Sequence, residues 1–138
     1  MLPKWHILFG LLFSLILYFF FSVSLLNSSV VLLSSVIIDV DHYLFYVKRK
    51  KNWSLRKSYE WNFGLRKKHK PILHIFHVVE FIILICASSY FLNIFLFVFI
   101  GILFHSIFDL IEMIVYGGNG REFFLIRYLL TKNKNKYF

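Results

Sequence analysis

Acidic residues are scarce in this chain: seven Asp and Glu stand against sixteen Lys and Arg in 138 residues, a formal net charge of +9. A single cysteine, Cys86, excludes a disulfide within one chain, and mid-helix in an apolar run it reads as an inert core thiol. Only two prolines and six glycines interrupt a sequence that is 59% hydrophobic and 21% aromatic, with 18 Phe. Charged residues make up only 17%, too few for an ordinary soluble domain of this size, and the length allows one domain.

Long apolar runs are what the chain has instead. Four of them, about 7–21, 30–47, 72–90 and 94–116, approach the ~20 residues that a membrane helix needs. Lys4 before the first run and Ser22-Val23-Ser24 after it resemble a signal peptide. The run is long and Phe-rich and no Ala-x-Ala site follows, so a retained helix is expected.

The few acids are not where solvent would put them. Asp39, Asp41, Glu80, Asp109 and Glu112, five of the seven, lie within the apolar stretches, accompanied by His42, His74, His77 and His105. A carboxylate at mid-membrane costs roughly 2.5–3.5 kcal/mol on insertion scales, so each needs a compensating partner. Carboxylate and imidazole together are the ligand set of zinc and similar divalent ions.

Basic residues set the expected topology. Ten of the sixteen fall between Lys48 and Lys70, five follow Gly120, and the last is Lys4. The connections around 25–29 and 88–93 carry none. The positive-inside rule then places both termini, the 48–70 loop and the metal-ligand candidates on the cytoplasmic side of the cell membrane. The expected fold is all-α: an integral membrane four-helix bundle with helices at about 5–23, 28–47, 71–91 and 93–116. It carries a cytoplasmic basic loop, 48–70, and a short C-terminal interfacial helix with its tail, 121–138. Pro71 suits the first turn of the third helix, and Gly117, Gly118 and Gly120 suit the end of the fourth.

Spacing sorts the candidates. His105, Asp109 and Glu112 stand at i, i+4 and i+7, one stripe of the fourth helix, able to present two or three ligands to a metal in a bundle core. The plainer alternative is a polar seam satisfied by neighbouring helices. His74, His77 and Glu80 step by three on the third helix, with Glu80 a third ligand, a supporting partner or a general base. Glu112 is the other candidate for the base. In Asp39-x-Asp41-His42, Asp39 and His42 share a helical face and Asp41 points away from it. Either the helix loosens there, or Asp41 orients a ligand histidine. His6 precedes the first run. His69 lies in a basic run, where a solvated histidine is ordinary, yet only five residues before His74. In the basic loop, Trp53, Tyr59, Trp61 and Phe63 suggest a segment lying on anionic head groups of membrane lipids, in preference to a nucleic-acid surface.

The order of these motifs resembles the YdjM-like membrane-bound metal-dependent hydrolases over most of the chain. The family's His before the first apolar run is matched by Trp5-His6-Ile7-Leu8-Phe9. Its Pro-Asp-x-Asp-His resembles Ile38-Asp39-Val40-Asp41-His42, with Ile38 in place of Pro. Its His-Arg-Gly-x-Thr-His-Ser is matched loosely by His69-Lys70-Pro71-Ile72-Leu73-His74-Ile75, which keeps the two His only. Its Gly-x-x-x-His-x-x-x-Asp is matched by Gly101-Ile102-Leu103-Phe104-His105-Ser106-Ile107-Phe108-Asp109. A fainter similarity of motif logic connects the chain with zinc-dependent phospholipase C and P1-type nucleases.

The resemblance implies a hydrolase. From the residues and the resemblance together, the expected function is a metal-dependent hydrolase acting on a phosphoester such as a phospholipid. The expected metal ligands are His6, Asp39, Asp41, His42, His69, His74, His77, His105 and Asp109, holding one or more divalent ions. Zinc is the first expectation, with manganese and iron as alternatives. The rival expectation is a membrane metal site without catalysis, either a transporter or a structural centre.

Overall fold

The computed structural model describes residues 3–65, 72–116 and 121–132. Expectations resting on His69, Pro71, the glycines at 117–120 and the tail beyond 132 lie outside the described residues.

The chain is all-helical apart from one two-residue pairing. Helix α1 (Pro3–Phe20) ends before a turn in which Ser22 takes a positive φ of 53°. Ser24 then caps α2 (Leu25–Ile37), its hydroxyl accepting from the Asn27 N–H at 3.3 Å. Helix α3 (Val40–Lys50) follows almost directly, and Lys51 closes it in the left-handed conformation. Helix α4 (Leu55–Leu65), strand β1 (Ile72–Leu73), a 3-10 turn (Ile75–His77), α5 (Val79–Ser88), α6 (Ile94–Tyr116), β2 (Arg121–Glu122) and α7 (Leu125–Lys132) complete it. The strands pair in parallel, Ile72 with Arg121 and Leu73 with Glu122.

Three local expectations need correcting. The second apolar run is not one regular helix: the Asp39 N–H bonds to Val36 C=O and the His42 N–H to Asp39 C=O, i to i−3 contacts that tighten the backbone around 38–39. The 48–70 segment is not a plain loop, because Asn52 Oδ1 accepts from the Ser54 N–H and Ser54 Oγ from the Lys57 N–H, starting α4. The third run becomes helical only at Val79, so α5 is ten residues, or about 15 Å, long. Cys86, expected in a core, is exposed on it.

Helix α2 is the centre of the packing, against α6 on one side and α1 on the other. Small residues permit this. A Cβ on Gly101 of α6 would run into Val31 C=O and Ser34 Oγ of α2, and one on Gly10 of α1 would meet Ser35 Oγ at 2.6 Å. Ser14 Oγ donates to Ser28 C=O across the α1–α2 contact at 2.7 Å. Helices α1 and α6 meet through stacked rings, Phe13 on Phe104 at 4.2 Å and Phe9 on Phe108 at 5.0 Å.

Burial is inverted relative to a water-soluble fold. Among the described residues, ten buried side chains are polar or charged and only five are hydrophobic. Phe19, Phe20, Phe21, Leu25 and Leu26 are each more than 60% exposed. Two stretches, Leu25–Lys50 and Ile94–Val115, are long and apolar enough to cross a membrane.

Candidate metal centre

The close helix contacts aim the histidines. Gly101 and His105 are one turn apart on the same face of α6, as His6 and Gly10 are on α1. Drawing α6 onto α2 at Gly101 brings His105 Nδ1 within 2.6 Å of Ser35 C=O. That carbonyl can only accept, so Nδ1 carries a proton and Nε2 is the nitrogen left facing inward. His77 is fixed in the same sense by Asp41, whose Oδ2 lies 3.1 Å from His77 Nδ1 and also accepts from the Phe76 N–H at 3.2 Å.

The two inward imidazole nitrogens therefore face each other, His77 Nε2 to His105 Nε2, at 3.3 Å. Carboxylate oxygens complete the group. Asp39 Oδ1 stands 3.8 Å from His77 Nε2 and 3.5 Å from His105 Nε2. Asp109 Oδ2 stands 3.5 and 3.1 Å from the same two nitrogens. Four donors at about 2.1 Å from a tetrahedral zinc ion are roughly 3.4 Å from one another. The three separations within Asp39/His77/His105, 3.3, 3.5 and 3.8 Å, bracket that edge length, and Asp109 Oδ2 lies at similar distances from the two imidazole nitrogens.

A second group adjoins the first. Asp41 Oδ1 is buried and has no hydrogen-bond partner, while His74 Nδ1 lies 3.7 Å and His42 Nε2 4.0 Å from it. Such distances are too long for hydrogen bonds and suit donors surrounding a common centre. Asp39 Oδ1, 3.5 Å from His42 Nε2, links the two groups. On the far side His6 Nε2 is 3.4 Å from Asp109 Oδ1, and its ring stacks on His105 at 4.1 Å. Three sets, His6/His105/Asp109, Asp39/His77/His105 and Asp41/His42/His74, could each hold a metal ion. The cluster is closed at His105 and His77, whose side chains are at most 1% exposed, and open at Asp39 and His42, each 25% exposed.

Eight of the nine expected ligands thus converge, from α1, the 38–42 bend, the 74–77 segment and α6; His69 lies outside the described residues. Of the two alternatives for Asp41, the helix does not loosen but tightens at 38–39, and Asp41 stands against His77 Nδ1. His74 and His77 do not share a regular helical face with Glu80, since His74 is extended and His77 ends the 3-10 turn.

Neither expected base belongs to these groups. Glu80 turns away from them: its Oε2 accepts from the Leu125 N–H at 3.1 Å and its Oε1 from the Ile126 N–H at 3.2 Å, capping α7. Glu112 is half-buried one turn beyond Asp109 and is in none of the three sets. Sequence reading missed Ser35, whose carbonyl fixes His105, and the Phe76 N–H that steadies Asp41. The signal for the first was the Ser34-Ser35 pair, small enough to admit another helix; the second has no signal in the sequence. No family model, curated protein or solved structure matches this chain, so the chemistry of the site is argued from its geometry.

Proposed function

We propose that the chain is a membrane-embedded, metal-dependent hydrolase, holding zinc and acting on a phosphoester such as a phospholipid of the cytoplasmic leaflet. The observation that carries the reading is the convergence of Asp39, His77 and His105 on one centre, with Asp109 Oδ2 3.5 and 3.1 Å from the same two imidazole nitrogens and both Nδ1 atoms turned outward to acceptors. Neutral rings and carboxylates so arranged repel one another unless a cation lies among them. The buried, unbonded Asp41 Oδ1, with His42 and His74, supports a second position beside the first.

The inverted burial and the two apolar stretches support a membrane setting. The concentration of Lys and Arg in 48–70 and after 120 supports a cytoplasmic orientation for the cluster. The motif order that resembles YdjM-like proteins points the same way.

Divalent ions there would supply Lewis acidity, making water a nucleophile near neutral pH and offsetting charge on phosphoryl oxygens. The chain's own part is to position. Ser35 and Asp41 hold His105 and His77 in one tautomer, and the 38–42 bend leaves an open edge at Asp39 and His42. Asp39 and His42, the partly exposed members of the cluster, would face water and substrate at that edge.

A closed structural zinc site is the second reading, favoured by the near-complete burial of His77 and His105. It leaves the second donor group and the open edge without a purpose. Elemental mass spectrometry of detergent-purified protein tests both readings, followed by hydrolysis assays on phospholipids and phosphodiesters. Stoichiometric metal in the wild type, lost in a folded His105→Ala/Asp109→Ala variant, is the expected result. No metal after reconstitution with zinc, manganese or iron sinks the proposal; metal without hydrolysis leaves the structural reading.

A further inference from the structure

Helix α4 is docked beside the open edge of the cluster. Asn62 Nδ2 donates to the carbonyl of His42 at 3.4 Å and to that of Ser58 at 3.0 Å, and Trp61 packs on Phe45 and Tyr46 of α3 at 5.9 and 5.6 Å. Ser58, 4% exposed, marks the docked face. Leu55, Tyr59 and Phe63 form the opposite stripe at i, i+4 and i+8, exposed by 71, 43 and 50%, with Trp53 just ahead at 72%. An apolar stripe facing outward is the reverse of what a helix in water presents.

Cations frame this stripe. Lys48, Arg49 and Lys50 end α3, Lys51 caps it, and Arg56 and Lys57 lie in the first turn of α4. Their only carboxylate neighbour on the hairpin, Glu60, is paired with Arg56 at 3.1 Å. Between the two helices runs an open groove lined by Tyr46, Lys50, Asn52, Lys57, Glu60 and Trp61. Two ammonium groups, an amide and an indole suit a phosphate and the glycerol behind it. Helix α7, tethered to α5 by Glu80, repeats the design, with Ile126, Leu129 and Leu130 more than half exposed beside Arg127. Two separate helices, each apolar outward and edged with cations, match the plane of a leaflet.

We propose that the α3–α4 hairpin is a binding surface for anionic phospholipid, with a lipid phosphate in the Lys50/Lys57 groove and the opposite stripe of Leu55, Tyr59 and Phe63 set among the acyl chains of the leaflet. This rests on the membrane setting proposed above but not on the metal or on hydrolysis. It assigns the basic segment a partner, and it puts an anionic head group beside the exposed edge of Asp39 and His42.

The test is native mass spectrometry of the detergent-solubilised full chain, titrated with phosphatidylglycerol or phosphatidylcholine, with and without chelator. Each lysine near an anionic lipid surface contributes about fivefold, so phosphatidylglycerol should bind roughly thirtyfold more tightly than phosphatidylcholine. Lys50→Gln/Lys57→Gln should erase that preference, Arg127→Gln should leave most of it, and chelator should not change it. Equal binding of the two lipids, or a preference untouched by Lys50→Gln/Lys57→Gln, overturns the proposal. A preference abolished by chelator overturns it too, by assigning the lipid to the metal cluster. Dimerisation broken by Tyr59→Ser/Phe63→Ser would give the stripe to a second copy instead. A chain that stays in solution without detergent would remove the membrane setting itself, a failure separable from the others.

Discussion

Asp41 is the residue at which the two donor groups can be separated experimentally. Its Oδ2 accepts from both the Phe76 N–H and His77 Nδ1, and its Oδ1 faces His42 and His74. In Asp41→Asn the amide oxygen must take the Oδ2 position, because an NH2 there would meet the Phe76 donor. His77 keeps its tautomer, but a charge-assisted bond becomes a neutral one, a loss of about 1 kcal/mol or roughly fivefold in affinity at the Asp39/His77/His105/Asp109 position. The NH2 then replaces Oδ1 as a donor of protons aimed at His42 and His74, and the second position is lost. Asp41→Ala removes the acceptor altogether, and loss of such an orienting partner weakens metal binding about 10- to 100-fold. Competition with a zinc chelator, read beside metal content, checks both variants. Expected are one ion fewer per chain in each, with the remaining ion weakened mildly in Asp41→Asn and more in Asp41→Ala. Full wild-type stoichiometry and affinity in folded Asp41→Asn would refute the two-group geometry.

Two further outcomes follow from the packing. Gly101→Ala should destabilise the chain by roughly 1–3 kcal/mol, since the new methyl runs into Val31 C=O and Ser34 Oγ. Thermal unfolding in detergent measures this, and an unchanged midpoint would show that α6 does not need the close approach. Glu80→Gln leaves one of the two α7 amides without its acceptor, weakening the cap. Hydrogen exchange at Leu125 and Ile126 should quicken while metal content holds; lost metal with α7 still protected would return Glu80 to the chemistry.

The identities of the donors could be read from the sequence because burying a carboxylate in an apolar run is costly enough to be informative wherever it occurs. Asp39, Asp41 and Asp109 all met this test and all lie in the cluster. Glu80 met it equally well and serves α7, because the test detects a need for compensation and not who provides it: backbone N–H groups 45 residues away answer as well as a metal does. The irregular backbone was harder to see. Nothing between Ile72 and Val78 breaks a helix locally, since the break depends on pairing with Arg121–Glu122. Helix α4 did carry a local signal, Ser54 ahead of Leu55 and Tyr59, but the lysines, arginines and aromatic residues around it suggested a loop lying on lipid head groups. The close approach of α2 and α6 was written in Gly101 and the Ser34-Ser35 pair, legible only once the two segments are known to face each other.

The pairing of β1 with β2 also bears on the order in which the chain can mature. Every described donor has been synthesised once the ribosome passes Asp109, yet His74 and His77 sit on a segment held by residues made later. Strand β2, Phe123, whose carbonyl receives the Val79 N–H at 2.9 Å, and the α7 amides that engage Glu80 all follow α6. A nascent chain halted at the end of α6 has its imidazoles and carboxylates but not the clasp that sets two of them. The clasp on His74 and His77 thus waits for β2 and the start of α7, so an ion captured earlier would find only the ligands that α1, the 38–42 bend and α6 supply.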